Sequence, residues 1–497
     1  MSKIAKIAAS LLAVLALLSC ASAVDYEKRF KGFEPRETLM DDWYGVYFSD
    51  LKVGWEHIEI TKGDLGGSEV VRVRDVGNVL YVIEDDKAPL SFGTTAEVFL
   101  TPDEHLLGFT YDQSLAAHSL SIVAETKEGV VYIDVTSGGG TQRIKFDESE
   151  KIYPATALAY FSLNEEIAPG KTYTYHVFLE GLKLTQDITI TILDQEEMNI
   201  KGKTEKVYRV EGAIRGYTIT SFVRTDGRVL KQVTMDNFVM LSETKEEATR
   251  MDPGSGLSMY ALIDYSLVTP NRPITDPPGL SSLTVRITGI PPGIKPMTGD
   301  VQTFEGPDET GGYTYAIESA DLSKLSVPAY GTFPREVQEH LVPTLDVESA
   351  SKEIKDTVQK IIGKRTDPLT DAKKITAWVN KNLKKRLVDT TSALDTLRSM
   401  EGECQAHAGL AAALFRAAGI PAKIVSGIVY SADIGGFAYH SWNEVYLGSW
   451  VPVDATFGQF PADVTHIKFA EGGPESIIDT VPLVGAIGLE VVGEKRK

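Results

Sequence analysis

Cysteine is nearly missing from this chain: its 497 residues hold only Cys20 and Cys404. Two thiols do not make a disulfide framework, so every folded unit has to be held by packed apolar cores. Basic charge is also short, with 50 Lys and Arg against 69 Asp and Glu and a formal net charge of -19. Binding to nucleic acid depends on cations that neutralise phosphates, so this deficit excludes such a partner and leaves the acidity as a solubilising surface. The apolar stretch from about Ile7 to Leu18 is too short to span a bilayer, which takes roughly 20 residues.

That stretch does have the layout of an export signal, with Lys3 and Lys6 ahead of it and small residues behind it. Leu17-Leu18-Ser19-Cys20 resembles the bacterial lipoprotein box, although Leu18 is bulkier than usual there, and the resemblance implies lipidation of Cys20 as the mature N-terminus. Ala21-Ser22-Ala23 offers an ordinary signal-peptidase site as the other exit, and Cys20 is then discarded. The expectation is an exported protein of the periplasm or cell envelope, held to the membrane by a lipid anchor on Cys20. Either exit leaves Cys404 without a second thiol. A lone thiol in an oxidising compartment is a liability unless it is buried and inert or kept for its reactivity.

At this length, with 43% hydrophobic residues, the chain is expected to form a multidomain protein. After the signal (1–23), residues 24–250 read as an antiparallel β domain, a curved sheet or partial barrel. Segments such as EVVRVRDV and VVYIDVTS alternate polar and apolar residues and are rich in Val, Ile, Thr and Tyr. Turn chemistry separates them, notably Ser137-Gly138-Gly139-Gly140 and Asp226-Gly227. From 251 to 342 prolines crowd the chain, and because proline fixes φ and lacks a donor, a linker with a small β module is expected.

Within 343–480 the apolar period changes from strand-like to helical: Ile354, Val358, Ile361 and Ile362 share one face, and Ile375, Trp378, Val379 and Leu383 another. Gly363 is placed to end the first helix and Asp367 or Thr370 to cap the second. A third runs from about Cys404 to Ala418, with Gly419 at its end and Pro421 beyond. Strands follow, so this part reads as an α+β domain with helices packed on an antiparallel sheet. Residues 481–497 read as a closing strand and charged tail, the segment from SIIDTVPL onward supplying one or two strands.

Cys404 falls in the first turn of its helix. Unpaired amides and positive potential there favour thiolate and can hold the oxyanion formed when sulfur attacks a carbonyl. Glu403 opposes this unless its carboxylate points into solvent. His440 lies on the strand from Tyr439 to Leu447, and a tight turn at Leu447-Gly448-Ser449 brings Asp454 opposite or diagonal to it. Helix and hairpin thus supply a nucleophile, a base and an orienting carboxylate, the three roles of a triad.

GECQAHAGLAAALFRAAGIPAKIVSG followed by HSWNEVYLGSWVPVDATFG resembles the bacterial transglutaminase-like family, which is similar in fold and triad to papain-type cysteine proteases. The resemblance spans about Pro343 to Phe469, and it implies Cys404 as nucleophile, His440 as general base and Asp454 as its orienter. The expected function is cleavage or transfer at amide bonds of envelope proteins or peptides through a thioester, with no cofactor. The rival is a binding or assembly lipoprotein that works through its N-terminal β domain.

His407, His440 and His466 can be imagined as a zinc set, but their spacings match no compact zinc pattern, so no metal is expected; no calcium loop is spelled out either. Trp442, Trp450 and Phe457 read as packing, with Trp442 on the face of His440 as a candidate cleft wall. Glu444 shares that face and either lends polarity to the site or binds a neighbouring strand. Gln405 is conceivable as an oxyanion donor.

Overall fold

The structure, a computed structural model, describes residues 30–82, 89–115, 118–138, 140–214, 217–234, 237–252, 254–292, 294–386 and 392–497. The export signal and Cys20 lie outside the described residues.

The first eight strands are β1 (Phe33–Phe48), β2 (Leu51–Leu65), β3 (Ser68–Val82), β4 (Leu90–Leu100), β5 (Leu106–Leu115), β6 (His118–Lys127), β7 (Val130–Ser137) and β8 (Gly140–Asp147). A second run holds β9 (Ile152–Pro154), β10 (Thr172–Leu179), β11 (Leu184–Ile200), β12 (Lys203–Ile214), β13 (Tyr217–Val223), β14 (Val229–Thr234) and β15 (Phe238–Glu243). Each run is a meander apart from β9, which lies parallel to β10, and β1 pairs antiparallel with both β2 and β15, joining the runs in one near-barrel sheet that ends at β8 and β9. The two-residue β16 (Leu257–Ser258) lies beside β3.

Alternation builds this sheet. In β3, Val71 and Val73 are buried, while Arg72 and Arg74 on the opposite face pair with Glu59 and Glu97 of the flanking strands at 2.8 and 3.3 Å. Ile60, Val73, Val98, Phe109, Ile122 and Ile133 join one core, which Tyr160 and Phe161 complete from a short helix at Leu158–Asn164. Each side chain buried this way stabilises the fold by about 1.5–3 kcal/mol. At Asp226-Gly227 the chain turns between β13 and β14 with Gly227 at φ 83°, and a Cβ there would stand 2.6 Å from the Ser162 carbonyl. Only glycine fits that turn.

Elsewhere the inner face is polar. Tyr44, Glu56, Gly77 and Thr94 occupy one register row across β1 to β4, with Asp75 diagonal to Glu56. A cavity of about 340 Å³ opens here, lined by Trp55, Glu56, Asp75, Phe92, Phe238 and Met240 among others.

The proline-rich stretch forms β17 (Leu280–Thr288), β18 (Gln302–Glu305) and β19 (Tyr313–Glu318), and β24 (Gly488–Arg496) adds to the edge of β17. Val285 faces Val491 across that pairing. Of the closing segment only Gly488–Arg496 is a strand; Pro474–Leu483 winds as a 3₁₀ helix with Pro482 inside it. A proline cannot donate to a ladder, which explains why one closing strand forms there rather than two.

The remaining strands are β20 (Ala422–Ser431), β21 (Gly436–Tyr446), β22 (Trp450–Val453) and β23 (Ile467–Gly472), in the order β22-β21-β20-β23. Leu283, Val285 and Tyr315 of the proline-rich module pack with Ile428, Phe437 and Ile467 of this sheet in one core. On the sheet's other face lie α1 (Lys352–Ile362), α2 (Pro368–Asn382), α3 (Ala393–Ser399) and α4 (Cys404–Ala418). Gly363 ends α1 at φ 61°, and the Asp367 carboxylate caps α2 by accepting from the Thr370 amide at 2.9 Å. Helix α3 is too short for periodicity to announce it. Helix α4 is Ala-rich and buries Leu410, Leu414 and Phe415 fully. Its small residues let it lie close to the sheet, where Asn443 Nδ2 donates to the Ala408 carbonyl at 3.0 Å.

Candidate active site

Helix α4 begins at Cys404 and ends at Gly419 in the left-handed conformation, as its sequence predicts. Cys404 is half-buried, and Glu403 and Gln405 on either side of it are exposed. The Glu403 side chain makes no capping bond to the first turn, and burial raises its carboxyl above the usual value while Lys385 and His440 pull it down.

His440 sits in the middle of β21 and is 5% exposed. The last pair of the β21–β22 ladder is Asn443 with Val453, so Asp454, one residue further, lies diagonal to His440. From there its Oδ2 accepts from His440 Nε2 at 2.8 Å. Asp454 Oδ1 accepts from the amides of Thr456 and Phe457 at 2.6 and 3.0 Å, which locks the carboxylate. Phe457 lies flat on the imidazole, with centroids 4.9 Å apart and planes 9° apart. With Nε2 bonded to Asp454, Nδ1 is the nitrogen left for the thiol.

Burial opposes charge on His440, but its bonds to Asp454 and Cys404 outweigh burial and raise its pKa to about 10. Burial would also raise Asp454, yet the bonds from His440 and His466 hold its carboxyl far below the usual range. Such an arrangement can move a proton between sulfur and imidazole while the carboxylate stays ionised.

His466 was noted in the sequence only as part of an unconvincing zinc set. The structure puts its Nε2 3.0 Å from Asp454 Oδ2, the atom that His440 also uses. The loop between β22 and β23 starts on Asp454 and returns to it with His466, closed by Asp454–Gln459 backbone bonds and by Gln459 with Asp463. Nothing local in the sequence signals that return. His407 points elsewhere: its Nδ1 bonds the Glu403 carbonyl oxygen at 2.9 Å, and burial pushes its pKa down.

The donor atoms of His440, Asp454 and His466 lie within 4.8 Å of one another, close enough to be considered for a metal. Their 2.8 and 3.0 Å contacts are hydrogen-bond lengths. They are shorter than the roughly 3.3 Å ligand separation of a tetrahedral zinc site. Trp442 is buried beside His440 and His466, with centroids 6.3 and 5.2 Å away. Glu444 reaches across β20 to β23, accepting from Lys468 Nζ at 3.0 and 3.1 Å. Trp450 carries Lys423 over its ring at 4.1 Å.

Residues 355–455 match the profile of the Transglutaminase-like superfamily. A segment of 84 residues is 38% identical to kyphoscoliosis peptidase of Mus musculus, covering 15% of this chain and 12% of that protein. A segment of 181 residues is 32% identical to an uncharacterized protein of Haemophilus influenzae, covering 30% of this chain and 46% of that one. The chain therefore spans less than half the length of either relative. Among solved structures, a candidate cysteine protease from Cytophaga hutchinsonii overlays 42% of this chain and 81% of its own, at 19% identity and a TM-score of 0.30. Residues 355–455, in the C-terminal part of this chain, carry a transglutaminase-like domain.

Proposed function

We propose that this protein is an exported cysteine enzyme that opens amide bonds of envelope proteins or peptides through a thioester on Cys404. The observation that carries this reading is the His440 Nε2–Asp454 Oδ2 bond of 2.8 Å beside a thiol at the first turn of a helix, within a transglutaminase-like domain. His440 Nδ1 takes the thiol proton, and sulfur attacks the carbonyl carbon. Amides at the start of α4 hold the oxyanion. As the C–N bond breaks, His440 returns the proton to the leaving amine, and a thioester remains. Water or a second amine then attacks the thioester and gives up a proton, and the thiol is restored. Export and the lipid on Cys20 would put this chemistry at the envelope.

The test is alkylation of the signal-free protein by iodoacetamide across pH, beside His440→Ala. Fast reaction well below pH 8 that is lost in the variant supports an activated pair; slow reaction in both sinks the enzyme reading. The cavity near Trp55 and Phe92 favours a second reading, in which the β domain binds a ligand or partner. It weighs less, because the half-buried Cys404 is not sealed from reagents as an inert core thiol would be.

A further inference from the structure

His466 has no part in the triad, yet it is buried against it. Its Nε2 lies 3.0 Å from Asp454 Oδ2 and its Nδ1 3.0 Å from the Asp463 carbonyl oxygen. Both partners accept. A carbonyl oxygen has no proton to give, and two amides on Asp454 Oδ1 keep that carboxylate ionised. A neutral imidazole has one N–H and one lone pair, so either tautomer would set a lone pair against an oxygen. Only the imidazolium satisfies both contacts.

We propose that His466 stands as an imidazolium and is a positioning residue: it shares the Asp454 carboxylate with His440, fixes its orientation and moderates its pull on the His440 proton. The inference rests on reading Cys404 and His440 as nucleophile and base. The charged and titratable groups around His466 are consistent with it. Asp454 comes from the end of β22, and Asp463, in the loop, places a carboxylate oxygen 3.5 Å from Nδ1. His440 on β21 has its ring centroid 6.0 Å away. Beyond His440 lie Cys404, Glu403, His407 and Lys385. Trp442 and Phe457 complete the walls, with centroids 5.2 and 6.4 Å from the His466 ring.

A cation at that distance repels a proton on His440 by on the order of 1–2 pKa units at the effective dielectric of protein interiors. Removing it therefore raises the pH at which His440 deprotonates. ¹⁵N-histidine NMR of the signal-free protein reads both effects, with His466 assigned through its contact to the Trp442 indole. Expected are two protonated ring nitrogens on His466 at pH 7.5, and a His440 midpoint in H466Q that is higher by on the order of 1–2 units. A purely structural role would lower stability without moving that midpoint. One N–H on His466, or an unmoved midpoint in H466Q, overturns the proposal; should H466Q fail to fold, the wild-type spectrum alone decides. Iodoacetamide alkylation of the wild-type thiol is run alongside. A slow thiol with a charged His466 defeats the enzyme reading only, and a fast thiol with a neutral His466 defeats this inference only.

Discussion

Asp454 and Asp75 are both aspartates held inside antiparallel sheets, yet their surroundings treat them in opposite ways. Asp454 is given two imidazoles and two amides, which together overcome burial and keep it ionised. Asp75 is given burial first and then another acid, Glu56, and both push its pKa well above the usual carboxylate value. A fold can bury an acid either by supplying cations and donors or by letting it keep its proton. The transglutaminase-like domain takes the first course and the near-barrel the second.

The comparison can be broken or sharpened by substitution. The largest effect is expected at the base: His440→Ala should slow thiol acylation by a factor of about 10² to 10⁴, read as a burst or alkylation rate near neutral pH. Next, Asp454→Asn removes the anion between two imidazole rings and should cost about 3–5 kcal/mol, whereas Asp75→Asn replaces an acid whose charged form burial and Glu56 already disfavour and should cost under about 1 kcal/mol. Chemical denaturation of the two variants measures the contrast, and equal losses would erase it.

A subtler test is the slope of stability with pH. Burial opposes charge on Asp463, but bonds from His466 and Thr465 outweigh it and hold its carboxyl at about 2. A depressed carboxyl contributes stability that is present above its unfolded value near 4 and lost as pH falls toward 2. A raised carboxyl does the reverse: the unfolded chain releases its proton first, so Asp75 should make stability fall as pH climbs from about 4. In melting temperatures from pH 2.5 to 8, the acid-side rise should become shallower in Asp463→Asn and the neutral-side fall shallower in Asp75→Asn. A local effect outside both sites is expected from Asp367→Ala, which removes the cap of α2 and should cost about 1 kcal/mol in the same melts.

What could be read in the sequence was local. Helix α4 was legible to the residue because Gly419 ends it and its apolar positions repeat at helical spacing. That Asp454 would come opposite or diagonal to His440 followed from a hairpin with a short turn at Gly448, and the observed register makes it diagonal. The strand character of the N-terminal β domain, seen from Phe33 to Glu243, was equally plain from alternation. Harder to read was that β1 pairs with β15 to join the two meanders, because pairing between distant strands leaves no mark in either one. His466 escaped for the same reason: a loop brings it back to Asp454 through backbone bonds and the Gln459–Asp463 contacts, and no spacing encodes that return. The Lys468–Glu444 pair likewise depends on β23 lying across β20 from β21.

The strand Gly488–Arg496 that completes the proline-rich module also bears on how the site comes into being. Asn271 and Val491, 220 positions apart, are joined by hydrogen bonds in both directions. The sheet that carries His440 shares one core with that module. Such contacts have high sequence separation, which slows folding because loop closure must come before any return from packing. The strand that carries His440 is therefore expected to settle late, after a distant segment has docked behind it. A protease that trims this edge strand would loosen the platform under His440 without touching Cys404, His440 or Asp454.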